Sequence, residues 1–505
     1  MRLELHQRPA AAANRHSRLL PIKTSRMVVA LLCATAMYAF ATPAAAPAAA
    51  AKTSPLKLEP YMVKLADGSE LAAERGTFSV PEDRNNPRSR RIDIGFVRFK
   101  STNPNPGAPL VYLAGGPGGS GVATARGPRQ PVFLALRAVG DVIAFDQRGT
   151  GFSNHIPPCT ALRKLDPSVT LTEAALIAYH RETLGHCLGQ WRAAGVAVNG
   201  YTTRQSSDDI EQLRRVLGAN KIDLWAISYG THLALETMRR HPNSIGRVVL
   251  SSAEGMDQAV KLPAHVERAF ARIEGAMPRP GLGALMRRVH ARYDAEPQIF
   301  TLNPKGGQAV TFRADSFPLR MMAGIVPKNP DGIAQLAGAY GALDAGQTAP
   351  IAPLLYGFFY QKPLTMTGMT ELMDVASGIT SRRLALVRSQ APTALLGAAI
   401  NFPTPHLRDV VPGIDLGDRF RREVRSNLPT LVLSGDLDPR TPLEEQAVAI
   451  AGLRNRHQVI VRNGGHDLFE AHPDIPRLMV DFFSGRPLKV RELTLAKPAI
   501  TSPRP

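Results

Sequence analysis

The stretch Ile222-Asp223-Leu224-Trp225-Ala226-Ile227-Ser228-Tyr229-Gly230-Thr231 decides the fold. A short apolar run ends at a serine, and a helical pattern, His232-Leu233-Ala234-Leu235-Glu236-Thr237-Met238, follows at once. Strand, sharp turn and helix in that order have the form of a nucleophile elbow, written here Ala-x-Ser-x-Gly in place of the usual Gly-x-Ser-x-Gly. Small residues two before and two after the serine are needed because strand and helix approach closely there. The turn lifts the hydroxyl clear of the sheet edge, at the start of a helix whose dipole favours developing negative charge. An ordinary strand-to-helix turn that contains a serine is the plain alternative, so the flanking sequence has to decide.

Outward from the elbow, strand patterns at 73–80, 92–99, 109–113, 141–145 and 246–250 are interleaved with helical patterns at about 171–192 and 206–217, the second capped by Ser206 or Ser207. The alternation stops over 256–425, where helical periodicities and Gly- and Pro-rich turns dominate. It resumes with a strand at 428–433, a helix near 442–452, a strand at 457–461 and a helix near 473–484. Strands alternating with helices predict an α/β fold with a mostly parallel central sheet and helices on both faces. The expected organisation is a leader at 1–51, a first part of the core at 52–255 that opens on an extended lead-in, an inserted helical cap at 256–425, a second part of the core at 426–486, and a loosely held basic, Pro-containing tail at 487–505.

A serine hydroxyl is a poor nucleophile until a base takes its proton, and that base needs an orienting acid. In this fold class the partners follow in the order Ser, Asp, His. Ser434-Gly435-Asp436-Leu437-Asp438-Pro439 ends one late strand and Asn463-Gly464-Gly465-His466 ends the next, so both loops share the sheet edge that carries Ser228. A surface histidine and a turn-capping aspartate are the bland readings, and Asp436 suits the second. Gly115-Gly116-Pro117-Gly118-Gly119 has no Gly-Lys-Ser/Thr after it, which argues against a phosphate loop. It reads better as a turn that aims the Gly116 amide into the site, where it joins the Tyr229 amide as an oxyanion hole. Asp146 and Arg148, in Asp146-Gln147-Arg148-Gly149-Thr150-Gly151, read as braces for the surrounding loops.

Composition limits the alternatives. With 505 residues, 44% of them apolar, the chain can bury a large core. The net charge of +19 is spread through an Arg-rich sequence without a basic, aromatic-studded stretch, so no nucleic-acid partner is expected. Six basic residues in the first 26 precede the apolar run Met27–Ala41 and an Ala/Pro-rich exit, the pattern of a secretory signal peptide. That run falls short of the ~20 residues needed to span a bilayer, so export to the periplasm or outside the cell is expected in preference to an uncleaved anchor. Cys33 would leave with the leader. Cys159 and Cys187 then remain, an even number in an exported chain, which suggests one disulfide. No Cys/His spacing has the form of a metal site, and no cofactor is expected.

Taken together, Gly-Gly-Pro-Gly-Gly-Ser-Gly at 115–121, Asp-Gln-Arg-Gly-Thr-Gly-x-Ser at 146–153, Tyr201-Thr202-Thr203, Ser-Tyr-Gly-Thr at 228–231, Asp438-Pro439-x-Thr441-Pro442 and Gly464-Gly465-His466 resemble the α/β-hydrolase aminopeptidases. That group includes the proline iminopeptidases and the secreted tripeptidyl-aminopeptidase-like proteins. The resemblance covers roughly residues 70–485 and is concentrated in the core. It implies a triad of Ser228, Asp438 and His466, with Asp438 preferred over Asp436. The sequence departs from the family at Ala226 and at Ala114, the latter standing where iminopeptidases usually have histidine.

The expected activity is that of an exported serine aminopeptidase acting on peptides. An esterase or amidase on the same core is the nearest rival, and a non-catalytic binding protein on that scaffold is a more distant one. An aminopeptidase must neutralise the substrate ammonium where water is excluded, which requires a carboxylate. Glu254 lies just beyond the strand ending at 250, where the chain leaves the core beside the site, and is the leading candidate. Asp257, Glu371 and Asp374 in the cap are the alternatives.

Overall fold

The computed structural model describes residues 55–498 apart from 66, 279 and 304–307. The expected leader at 1–51 and the end of the tail lie outside the described residues. Ten strands make one sheet: β1 (Lys57–Lys64), β2 (Glu70–Pro81), β3 (Arg91–Phe99), β4 (Leu110–Leu113), β5 (Val142–Phe145), β6 (Ile222–Ile227), β7 (Ile245–Ser251), β8 (Thr430–Gly435), β9 (Arg456–Arg462) and β10 (Glu492–Thr494). In space they run β1-β2-β3-β5-β4-β6-β7-β8-β9-β10. The pairs β1/β2, β2/β3 and β3/β5 are antiparallel, and every later pair is parallel.

The central strands are apolar throughout because both faces of the sheet are covered. Tyr112, Ala144, Trp225, Val249 and Leu431 point to one face, where the helices Gln130–Leu136 and Asp474–Phe483 pack. Val111, Ile143, Leu224, Val248 and Val432 point to the other, against Thr203–Val216 and Tyr229–Arg240. Trp225, one residue before Ala226, anchors the elbow strand between Tyr112, Phe133 and Phe469, with ring centroids 4.4, 4.6 and 5.3 Å away. A truncation to alanine there would cost about 3–5 kcal/mol.

Several local expectations need correction. Residues 57–64 are a paired strand, not a lead-in, and the helix placed at 206–217 begins at Thr203 because the Thr202 side chain accepts from the Gln205 amide. Ser206 and Ser207 lie buried inside that helix. The tail is not loosely held over 492–494, where it pairs with β9, and the Asn463 side chain donates to the Leu495 carbonyl at 2.8 Å.

Between β7 and β8 the helices Pro263–Ala276, Leu282–Ala295, Phe317–Ile325, Pro330–Asp344 and Ala352–Phe359 enclose a separate apolar cluster, with a hairpin of Gln298–Leu302 and Val310–Ala314. Leu171 and Leu176, at the start of helix Glu173–Ala193, belong to the same cluster. The cap therefore draws on a stretch expected to lie wholly in the core. Cys159 and Cys187 are joined in a disulfide, their Cα atoms 5.5 Å apart. Glu445, on the core, ties the cap down through Arg383 at 2.6 and 2.7 Å and His265 at 2.9 Å. Among the described residues no helix is long and apolar enough to cross a membrane.

Candidate active site

Ser228 follows β6 directly, with φ +56° and ψ −130°, a conformation that costs an ordinary residue free energy and persists only where its surroundings enforce it. Its amide donates to the Ser251 carbonyl at 3.1 Å and its carbonyl accepts from the Thr231 hydroxyl at 2.6 Å. Gly230 is required by close approach, since a Cβ there would stand 2.1 Å from the Leu113 carbonyl oxygen. The extra methyl of Ala226 is accommodated inside the sheet, fully buried between β4 and β7.

His466 follows β9, and its Nδ1 lies 2.9 Å from Asp438 Oδ2. Asp438 Oδ2 also accepts from the Thr441 hydroxyl at 2.6 Å, while Oδ1 accepts from the amides of Arg440 and Thr441 at 2.8 and 3.0 Å. Burial alone would raise the Asp438 pKa, but His466 and the Thr441 donors outweigh it and hold the carboxyl below its usual range. Asp436 is a different kind of group. Its Oδ2 lies 3.6 Å from Arg462, and burial pushes its pKa up. The structure thus brings Asp438, not Asp436, to the histidine.

The histidine loop is fixed from two sides. The Ser252 hydroxyl donates to the His466 carbonyl at 2.8 Å, and the His466 amide donates to the Lys328 carbonyl of the cap at 2.8 Å. Among the described residues no hydrogen bond joins His466 to Ser228. Serine–histidine contacts in free enzymes are often long and tighten only with substrate.

Gly116, at φ +119°, turns the chain after β4 in a conformation that favours glycine. Its loop is held by Asp146, one of the two expected braces, and by Gln147, which was not expected to take part. Asp146 accepts from the Ser120 hydroxyl at 2.6 Å and from the Val122 amide at 3.1 Å, and Gln147 donates to the Ala114 carbonyl at 2.9 Å. Arg148 is fully buried and pairs with Asp209 at 2.7 Å. Tyr229 is the first residue of its helix, so its amide has no intrahelical acceptor.

Ser228 and Gly116 open onto a cavity of about 190 Å³ roofed by the cap. Glu254 lines it, placed there because its amide donates to the Thr231 hydroxyl at 2.7 Å, the same hydroxyl that holds Ser228. Its carboxylate is engaged by Lys261 Nζ at 2.5 Å, and that ammonium also donates to the Gln258 carbonyl at 2.6 Å. Asp374, from the cap helix Met369–Ser377, lines the same cavity and accepts from the Thr404 hydroxyl at 3.2 Å. Burial and then the neighbouring Glu254 charge push the Asp374 pKa up to about 8. The other two cap acids are used elsewhere. Asp257 accepts from the amide and the hydroxyl of Thr380, and Glu371 accepts from the Gly368 amide. Lys261, Asn401, Thr404 and Arg440 were not foreseen in the cavity wall, and no motif marks them.

A family model described as the alpha/beta hydrolase fold matches residues 108–473. Tripeptidyl aminopeptidases of Streptomyces lividans and Streptomyces coelicolor are each 30% identical over 187 residues, 35% of this chain and 34% of theirs. The serine protease Hip1 of Mycobacterium tuberculosis is 26% identical over 186 residues, 35% of each chain. The matched segment thus spans about a third of the length of these relatives. Among solved structures, an epoxide hydrolase from an endophytic Streptomyces aligns over 87% of this chain and 98% of its own at 16% identity, with a TM-score of 0.37, a likeness too slight to carry a conclusion.

Proposed function

The chain belongs to the α/β-hydrolase fold family, and on that premise we propose that it is an exported serine aminopeptidase working through Ser228, Asp438 and His466. In the proposed reaction the Ser228 hydroxyl attacks the substrate carbonyl while His466 Nε2 takes its proton. Asp438 holds the Nδ1 proton and stabilises the imidazolium that forms. The Gly116 and Tyr229 amides receive the oxyanion. The carbon–nitrogen bond breaks as His466 returns the proton to the leaving amine. Water, activated by the same imidazole, then releases the acyl group as a carboxylate. Export is supported by the basic-then-apolar leader and by a disulfide that an oxidising compartment would preserve.

The observation that carries the aminopeptidase reading is the pair of carboxylates, Glu254 and Asp374, in the same cavity as the serine. Among the described residues only Glu254 forms an ion pair, with Lys261, so Asp374 is available to a substrate ammonium. The names of the tripeptidyl aminopeptidase and serine protease relatives agree with it. Near pH 8, where the Asp374 carboxyl ionises, peptide anilides with a free amino end should be cleaved at least ~10²-fold faster than the same compounds N-acetylated, because blocking the amine leaves a buried carboxylate unpaired. Equal rates would leave an esterase or amidase in its place.

A further inference from the structure

Lys261 lines the cavity and has no part in the proposed chemistry. Its side chain is mostly buried, its ammonium is locked between Glu254 and the Gln258 carbonyl, and it faces the space into which the substrate's amino end must go. The charges around that space can be paired off. Glu254 is matched by Lys261, and Asp374 forms no ion pair among the described residues, its side-chain contact being with the Thr404 hydroxyl. Arg440 also lines the cavity and adds positive charge, not negative. One incoming ammonium therefore satisfies Asp374 and uses up the negative charge of the site.

The cavity is also small. At about 190 Å³ it lies below the ~300 Å³ at which pockets begin to hold drug-sized ligands, so it has room for a short amino-terminal fragment. A side chain carried by that fragment cannot sit far from Lys261. We propose, resting on the aminopeptidase reading, that Lys261 is a specificity-determining residue: by neutralising Glu254 it makes the subsite accept a single positive charge, so that peptides beginning with lysine or arginine are rejected in favour of those beginning with an uncharged residue. A second cation in this partly desolvated space meets Lys261 and finds no free carboxylate, which disfavours it by at least about tenfold in kcat/KM.

The test compares norleucine anilide with lysine anilide, which are near-isosteres differing in the terminal charge. The wild-type protein should prefer norleucine by at least about tenfold. K261M frees Glu254, so the lysine anilide should gain relative to norleucine until the preference disappears or reverses, whereas K261R should retain it. Where K261M fails to fold, judged by its melting curve, K261Q removes the ammonium but keeps a polar side chain beside Glu254 and should also narrow the ratio. A wild-type protein that cleaves both anilides alike, or a folded charge-removing variant of Lys261 that keeps the wild-type ratio, would overturn the proposal. Failure of the aminopeptidase reading shows separately, as equal rates on free and N-acetylated norleucine anilide.

Discussion

Replacing Asp438 by asparagine should reduce turnover by a mechanism that the hydrogen bonds around it dictate. Oδ1 accepts from two backbone amides, those of Arg440 and Thr441, which cannot reverse their polarity. An asparagine must therefore keep its carbonyl oxygen at Oδ1 and place its NH2 where Oδ2 now stands, against His466 Nδ1 and the Thr441 hydroxyl. The hydroxyl can rotate to accept. The imidazole can accept only by carrying its proton on Nε2, the nitrogen that has to receive the Ser228 proton. The wrong tautomer is thereby fixed while the fold is retained, and the expected loss is ~10⁴ in kcat. At about 1.36 kcal/mol per tenfold, that is about 5.5 kcal/mol of transition-state stabilisation. Steady-state cleavage of a free-amine anilide measures it, with a melting curve as the folding control. D436N should change kcat by less than about threefold, because Asp436 touches neither the serine nor the histidine. A folded D438N enzyme within tenfold of wild type, or a larger loss in D436N, would refute this assignment of the acid.

Two other outcomes follow from the same geometry. Burial and the Glu254 charge raise the Asp374 pKa to about 8 against the opposing pull of Lys261, so below that pH the carboxyl is neutral and offers the substrate ammonium no charge. The ratio of kcat/KM on free to N-acetylated substrate, in which titration of the triad cancels, should therefore rise as pH climbs towards 8. It should then fall as the substrate amine, with its own pKa near 7.7–8.0, loses its proton. In D374N the rise should vanish, and a flat ratio in the wild-type protein would show that Asp374 does not bind the amine. Replacing both Cys159 and Cys187 by serine opens a loop of sequence separation 28, which the chain-entropy relation puts at about 3–4 kcal/mol of lost stability, read from a shifted denaturant midpoint. An unchanged midpoint would contradict it.

What was legible in the sequence was what local chain geometry demands. The elbow could be read because Gly230 has to clear the Leu113 carbonyl, and Asp438 and His466 because loops at adjoining parallel strand ends meet at one edge. Asp438 was separated from Asp436 only through resemblance. Physically the difference is Thr441, whose amide and hydroxyl reach back three residues to Asp438. The strand at 492–494 escaped notice because three residues hold too little alternation to register as a pattern, and its pairing with β9 is tertiary. The tie of Lys261 to Glu254 and the approach of Asp374 depend on how the cap folds back over the core. No periodicity in 256–425 encodes that.

Every step proposed for this site passes through the Ser228 hydroxyl, so the most direct measurement is the turnover of S228A on a free-amine peptide anilide beside the wild-type protein. The variant should melt as the wild type does and lose about 10⁴–10⁶ in kcat, with H466A losing a similar amount and the double variant little more, because triad members act as a unit. A folded S228A that keeps turnover within tenfold of wild type would contradict the account at its centre.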